Sequence, residues 1–217
     1  MSAMGCTKLP QIIDFHTHIF PDVIAEKSIA SLEEKAGIKA ATDGTLQGLL
    51  ESMDRSGVDL SVILPVVTKP SQFDRINSFA AEVNAKYGDR VLSFGGIDIG
   101  LPETVHCPPD RMRKVLDAVK PKKMVLAHTG GWKQWDAVYE YLAGEDVYLD
   151  TSFTFDYISR EQFLKILDKH APDKVLFATD SPWSCAAKGI QAIRTLPVSE
   201  EVKKAILWEN AARLLEL

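Results

Sequence analysis

The stretch Ile12-Ile13-Asp14-Phe15-His16-Thr17-His18 reads as a buried strand running into a polar cluster. The strand itself is expected over Gln11 to Phe15. Side chains on a strand alternate faces, so His16 and His18 should point the same way with Asp14 beside them. Phe15 should face the opposite side and pack beneath a helix. Two imidazoles at i and i+2 can grip one divalent ion at about 2.0–2.1 Å. The end of an apolar strand is also where βα barrels place their active sites.

Working outward, short apolar runs recur along the chain. They are Leu60 to Val67, Arg90 to Gly95, Lys123 to Ala127, Val147 to Asp150 and Lys174 to Ala178. Such runs suit parallel strands covered on both faces. Helical spacing fills the gaps. Leu46, Leu49, Leu50 and Met53 form one stripe, with Gly57 as the stop. Ile76, Phe79, Ala80 and Val83 form a second, and Met112, Val115, Leu116 and Val119 a third. Trp135, Val138, Tyr139 and Leu142 follow, then Phe163, Ile166 and Leu167. A last helix starts near Ser199, which can cap it. Alternating strands and helices predict an α/β fold with a parallel sheet. The expectation is one domain over 1–217, a TIM-type (β/α) barrel left incomplete with about six strands.

The strand-end position of His16 and His18 recurs twice. Val125-Leu126-Ala127 runs into His128, and Val175-Leu176-Phe177-Ala178-Thr179 runs into Asp180. In a parallel barrel these ends converge on one mouth. Imidazoles plus a carboxylate suit a divalent ion with a position left for water, zinc first, manganese or iron as alternatives. Such an ion lowers the pKa of bound water toward about 7. Each residue also has a plainer reading. His128 can hydrogen-bond a backbone carbonyl, and Asp180 can cap a helix or form an Asx-turn. Asp150 is either a substrate contact or a turn residue. His106 and His170 read as solvated. Trp183 and Trp132 are the expected substrate contacts.

Composition narrows the classes. The 217 residues carry net charge −5 and are 46% hydrophobic, which gives no general attraction to nucleic acid. No apolar run reaches the roughly 18 residues of a membrane span. Cys6, Cys107 and Cys185 are odd in number and far apart, which favours a reducing cytoplasm over a disulfide framework.

The motifs Ile12–Asp22 (IIDFHTHIFPD), Val125–Trp132 (VLAHTGGW), Val175–Trp183 (VLFATDSPW) and Trp208–Leu217 (WENAARLLEL) resemble the amidohydrolase superfamily. The likeness is to the branch of aminocarboxymuconate-semialdehyde decarboxylase and its hydrolase relatives. It implies His16 and His18 as metal ligands, Asp180 as ligand and proton acceptor, and His128 as a catalytic histidine beside them. It also implies a histidine after a fifth strand, where this sequence aligns Phe94 instead. A βα unit takes about 30 residues, and the region of strands four and five is missing. Three outcomes stay open: a site using His16, His18, Asp180 and a shifted His128, completion of the sheet by a second copy in a homodimer, or a form that binds metal poorly.

The resemblance implies a metal-dependent hydrolase of a small carboxylate- or amide-containing molecule, acting through a metal-bound hydroxide. The alternatives are a non-oxidative decarboxylase of the same family, a TatD-like nuclease, and a non-catalytic barrel remnant.

Overall fold

The computed structural model describes residues 12–67, 69–96 and 107–217. Its strands are β1 (Ile13–Thr17), β2 (Leu60–Ile63), β3 (Val91–Ser93), β4 (Val125–Leu126), β5 (Tyr148–Asp150) and β6 (Val175–Leu176). All six lie within or against the runs expected from the sequence. β2 to β6 are shorter than those runs, whereas β1 continues two residues past Phe15, to Thr17. Pro65 has no amide to offer a ladder, and β2 stops at Ile63. Gln11, the expected start of the first strand, lies outside the described residues, as do Cys6 and residues 97–106, His106 among them.

The strands form two parallel sheets, ordered β1-β2-β3 and β4-β5-β6. These join into one curved wall. The Phe15 amide donates to the Phe177 carbonyl at 2.9 Å, the Asp180 amide to His16 at 2.9 Å, and the His18 amide to Ser181 at 2.6 Å. The order is therefore β3-β2-β1-β6-β5-β4. Among the described residues nothing pairs with the outer edges of β3 and β4. The stretch 94–108 between β3 and the next helix is shorter than one βα unit of about 30 residues. The expected open barrel of six strands is what the chain forms.

Helices follow the strands: α1 (Asp22–Ala36), α2 (Leu46–Ser56), α3 (Phe73–Tyr87), α4 (Pro109–Val119), α5 (Trp135–Tyr141), α6 (Arg160–His170), α7 (Ala186–Arg194), α8 (Glu200–Lys204) and α9 (Asn210–Leu215). A π-helical turn, Ala205–Glu209, links the last two. Caps behave as read: Ser199 Oγ accepts the Val202 amide, and Gly57 ends α2 at φ 74°. Helices α1 and α7 were not legible as stripes. Only Ala25 and Ile29 of α1 are buried, and α7 carries Gly189 in its middle. None of the described helices is long and apolar enough to cross a membrane.

Two apolar layers hold β1, β2, β3 and β6. In one, Leu49, Met53, Val83, Phe163, Ile190 and Ile193 from four helices pack with Ile63, Val91, Val175 and Phe177. In the other, Ile13, Phe15, Leu60, Val62, Leu176 and Ala178 pack with Ala211 and Ala212 of α9, which gives Phe15 the helix contact expected of it. Asn210 is fully buried and pins the last helix to the entry of β6. Its Nδ2 donates to the carbonyls of Pro172 and Val175 at 2.7 and 2.8 Å. The turn Ala205–Glu209 leaves the Ile206 carbonyl to accept the Phe177 amide at 2.9 Å.

His170 corrects the sequence reading. It is 2% exposed rather than solvated, because the end of α6 packs against the turn after α5. The Gly144 amide donates to His170 Nδ1 at 3.2 Å, so the neutral ring carries its proton on Nε2. Burial holds its pKa below the ordinary imidazole value, with Lys174 adding to that and Val147 and Asp173 opposing it. The unfolded chain then takes up protons that the native ring resists, so stability falls as pH drops below about 6.5. His170→Asn keeps an acceptor and removes the titration. In urea unfolding, the stability advantage of the native chain over this variant should shrink as pH falls through that range; a constant gap would show that His170 does not titrate in folding.

Candidate metal centre

The site is assembled where β1 meets the end of β6. In β1 the three steps from Asp14 to Thr17 stand against two steps, Ser61 to Ile63, on β2. Such a bulge bends a strand and re-aims its side chains. It lies directly under His16. Asp14 turns away from the two imidazoles. Its carboxylate accepts the Thr179 amide at 2.9 Å and the Thr179 hydroxyl at 2.6 Å. Burial pushes its pKa up to about 7 despite these bonds. Asp14 thus ties β1 to the residue before Asp180 and is a brace, not a third ligand.

His16, His18 and Asp180 present one ligand atom each, all within 4.8 Å of one another. His16 Nε2 is 3.0 Å from His18 Nε2, and Asp180 Oδ1 is 3.4 Å from the first and 3.1 Å from the second. Two atoms bound tetrahedrally to one ion at about 2.0–2.1 Å lie about 3.3 Å apart. The triangle has the size of a first coordination sphere.

The hydrogen bonds on the far side of each ring set what the centre can hold. His18 Nδ1 lies 2.7 Å from the Leu64 carbonyl, which only accepts, so Nδ1 carries the proton. His16 Nδ1 lies 2.9 Å from Asp150 Oδ2. Burial opposes ionisation of Asp150, but His16, Ser152 and His128 outweigh it and hold its pKa below the carboxylate range. Asp150 is therefore an acceptor, and His16 Nδ1 donates to it. Both Nε2 atoms of the neutral rings are left as bare lone pairs, facing each other and a carboxylate. Three acceptors without a donor among them call for a cation. Burial disfavours charge on His16, yet Asp150, Asp180 and Asp14 together raise its pKa above the ordinary value. The same field favours a metal ion at this point.

Asp150 is the functional residue that sequence reading left unassigned. It is 1% exposed, and it accepts from four donors. Oδ1 accepts the His128 and Ser152 amides, each at 3.0 Å, and the Ser152 hydroxyl at 2.5 Å. A carboxylate behind a metal-binding histidine fixes its tautomer and ring orientation. The signal in the sequence was the strand-end position of Leu149-Asp150-Thr151-Ser152, which a turn residue would share.

His128 stands beside the triangle, its ring centroid 5.7 Å from that of His16. It follows β4 in a tight turn with φ 58° at His128, 53° at Thr129 and 81° at Gly130. Left-handed residues of this kind persist where surrounding bonds fix them. A side chain at Gly130 would start 3.2 Å from Leu149 and 3.3 Å from Leu142, so only glycine serves there. His128 Nδ1 is 3.0 Å from the Ser152 carbonyl and donates to it, leaving Nε2 as the acceptor. Asp180 itself has φ 66°. Phe94, aligned with the missing histidine, packs edge-on to Phe15 at 6.1 Å and brings no ligand. Of the two expected substrate contacts, Trp183 is half-buried beside Asp180. Trp132 is 42% exposed on the loop after His128.

Comparisons with known proteins bear on the fold. Residues 112–217 match the amidohydrolase family model, a span that includes His128, Asp150 and Asp180. A search of curated proteins gives no match. Among solved structures, an uncharacterized TIM-barrel protein from Bordetella bronchiseptica is 16% identical, with TM-score 0.71, covering 94% of this chain and 98% of that one. A dihydroxybenzoic acid decarboxylase from Polaromonas sp. JS666, with bound manganese and the inhibitor 2-nitroresorcinol, is 14% identical at TM-score 0.69, covering 96% and 98%. A probable 2-pyrone-4,6-dicarboxylic acid hydrolase from Acinetobacter baumannii, with citric acid bound, is 14% identical at TM-score 0.67, covering 95% and 100%. At these identities the likeness establishes the fold. Residues 112–217 match the amidohydrolase family model, and the described chain therefore folds as an open form of the TIM barrel.

Proposed function

We propose that the chain is a metal-dependent enzyme of the amidohydrolase type, acting on a small carboxylate-containing molecule. The observation that carries this is the convergence of His16 Nε2, His18 Nε2 and Asp180 Oδ1 at 3.0–3.4 Å with no donor among them. These three residues would hold a divalent ion. Nitrogen and carboxylate donors suit zinc and also manganese, the ion bound in the Polaromonas neighbour.

The bound ion would supply Lewis acidity, polarising a substrate oxygen or water at the mouth. The chain's own residues do the rest. Asp180 is the carboxylate at the reacting position and takes up a proton there. His128 Nε2, left as an acceptor by the Ser152 carbonyl, takes or returns a second proton. Once protonated, it donates to an oxygen gaining negative charge. Asp150 keeps His16 aimed. Trp183 and Trp132 line the approach.

Hydrolysis is the first reading. Decarboxylation is the second, favoured by the decarboxylase among the structural neighbours. Both reactions use the same centre and differ in what leaves the substrate.

Two experiments test the proposal. Calorimetric titration should show one divalent ion bound per chain, and none with His16→Ala. Incubating the loaded protein with a panel of small carboxylic acids should release CO2 or consume water, and the product identifies which. Absence of metal binding to the native chain would end the enzyme reading. Asp150→Asn should lower metal affinity by about tenfold to hundredfold while the fold persists; unchanged affinity would remove Asp150 from the centre.

A further inference from the structure

The loops after β4 and β5 carry an aromatic cluster that the metal triangle does not use. Trp132 stacks on Phe153 at 6.0 Å and meets Tyr157 edge-on at 5.6 Å; Phe153 and Tyr157 meet edge-on at 5.1 Å. Trp132 and Tyr157 are 42% and 40% exposed. Lys133 Nζ lies 4.3 Å from both their ring centroids, well inside cation–π range. Lys133 and Phe153 both adopt left-handed backbone, with φ 58° and 48°. The cost of those conformations is met where the side-chain positions matter.

The cluster borders the metal centre. Trp132 and Lys133 lie four and five residues after His128, and Phe153 follows Ser152, which holds His128. The Phe153 amide donates to the Thr179 carbonyl, one residue before Asp180. The nearby carboxylate Asp156 is already engaged, by the Ser184 hydroxyl and Lys188. Lys133 makes no ion pair with any described carboxylate. The result is a fixed ammonium without a counter-ion, flanked by exposed rings, at the rim of a mouth whose floor is acidic with Asp150 and Asp180. A carboxylate approaching that floor needs compensating positive charge on the way in.

We infer that Lys133, held against Trp132 and Tyr157, forms a subsite for the carboxylate of a small substrate, the ammonium taking the charge. This deepens the enzymatic reading and rests on it for the reaction, but the subsite itself binds without the metal. Calorimetry on the metal-free protein with benzoate and benzamide as probes separates the two.

Benzoate should bind the native chain and lose about tenfold in affinity with Lys133→Met, as expected for removing a charge-assisted contact. Lys133→Arg should restore most of it. Benzamide should bind weakly to all three proteins. Equal benzoate affinity for the native chain and Lys133→Met, or no benzoate binding at all, would overturn the subsite. Metal titration of Lys133→Met is the control and should match the native chain. A chain that binds benzoate through Lys133 but takes up no metal would keep the subsite and remove the enzymatic reading.

Discussion

Two neutral imidazoles that each give their proton away on the far side cannot hydrogen-bond to each other unless a second proton or a metal ion comes between them. This constraint governs the molecule. His18 is bound to the Leu64 carbonyl and His16 to Asp150, so their facing Nε2 atoms at 3.0 Å repel unless something positive lies between them. Asp180 makes the same demand from a third side. Asp150, buried close by, has four donors. The triangle collects acceptors alone. Buried charges are ordinarily paired or bind metals, and the distances have the size of a coordination sphere.

The fold serves this point. His16 and His18 come from β1, Asp180 from the loop after β6, and Asp150 from β5. They meet because β1 pairs with β6 across the two ends of the sequence. The bulge in β1 aims His16, and Asp14 clamps the Thr179 backbone and hydroxyl. Asn210 fixes the other end of β6. The open side, between β3 and β4, lies on the opposite edge of the wall from the β1–β6 seam. The triangle therefore does not depend on that open edge.

The strands, five of the helices' faces and the ligand triangle were legible because each rests on a local pattern. Apolar runs ending in His16-Thr17-His18, His128 and Asp180 marked the mouth directly. Helix α1 buries only Ala25 and Ile29, and the buried face of α7 spans little more than two turns around Gly189, so neither stripe stands out. The bulge was missed because alternation is the default reading of a strand. It moved Asp14 from the expected place beside the imidazoles to Thr179. Asp150 and His170 were misjudged for a shared reason. Their roles depend on partners 134 and 26 residues away, and no local pattern encodes those.

The most direct measurement is anomalous diffraction at the metal absorption edge from crystals grown with zinc or manganese. The account predicts a single peak about 2.0–2.2 Å from His16 Nε2, His18 Nε2 and an Asp180 oxygen. A structure with no peak there, and with the two rings still facing each other, would contradict it.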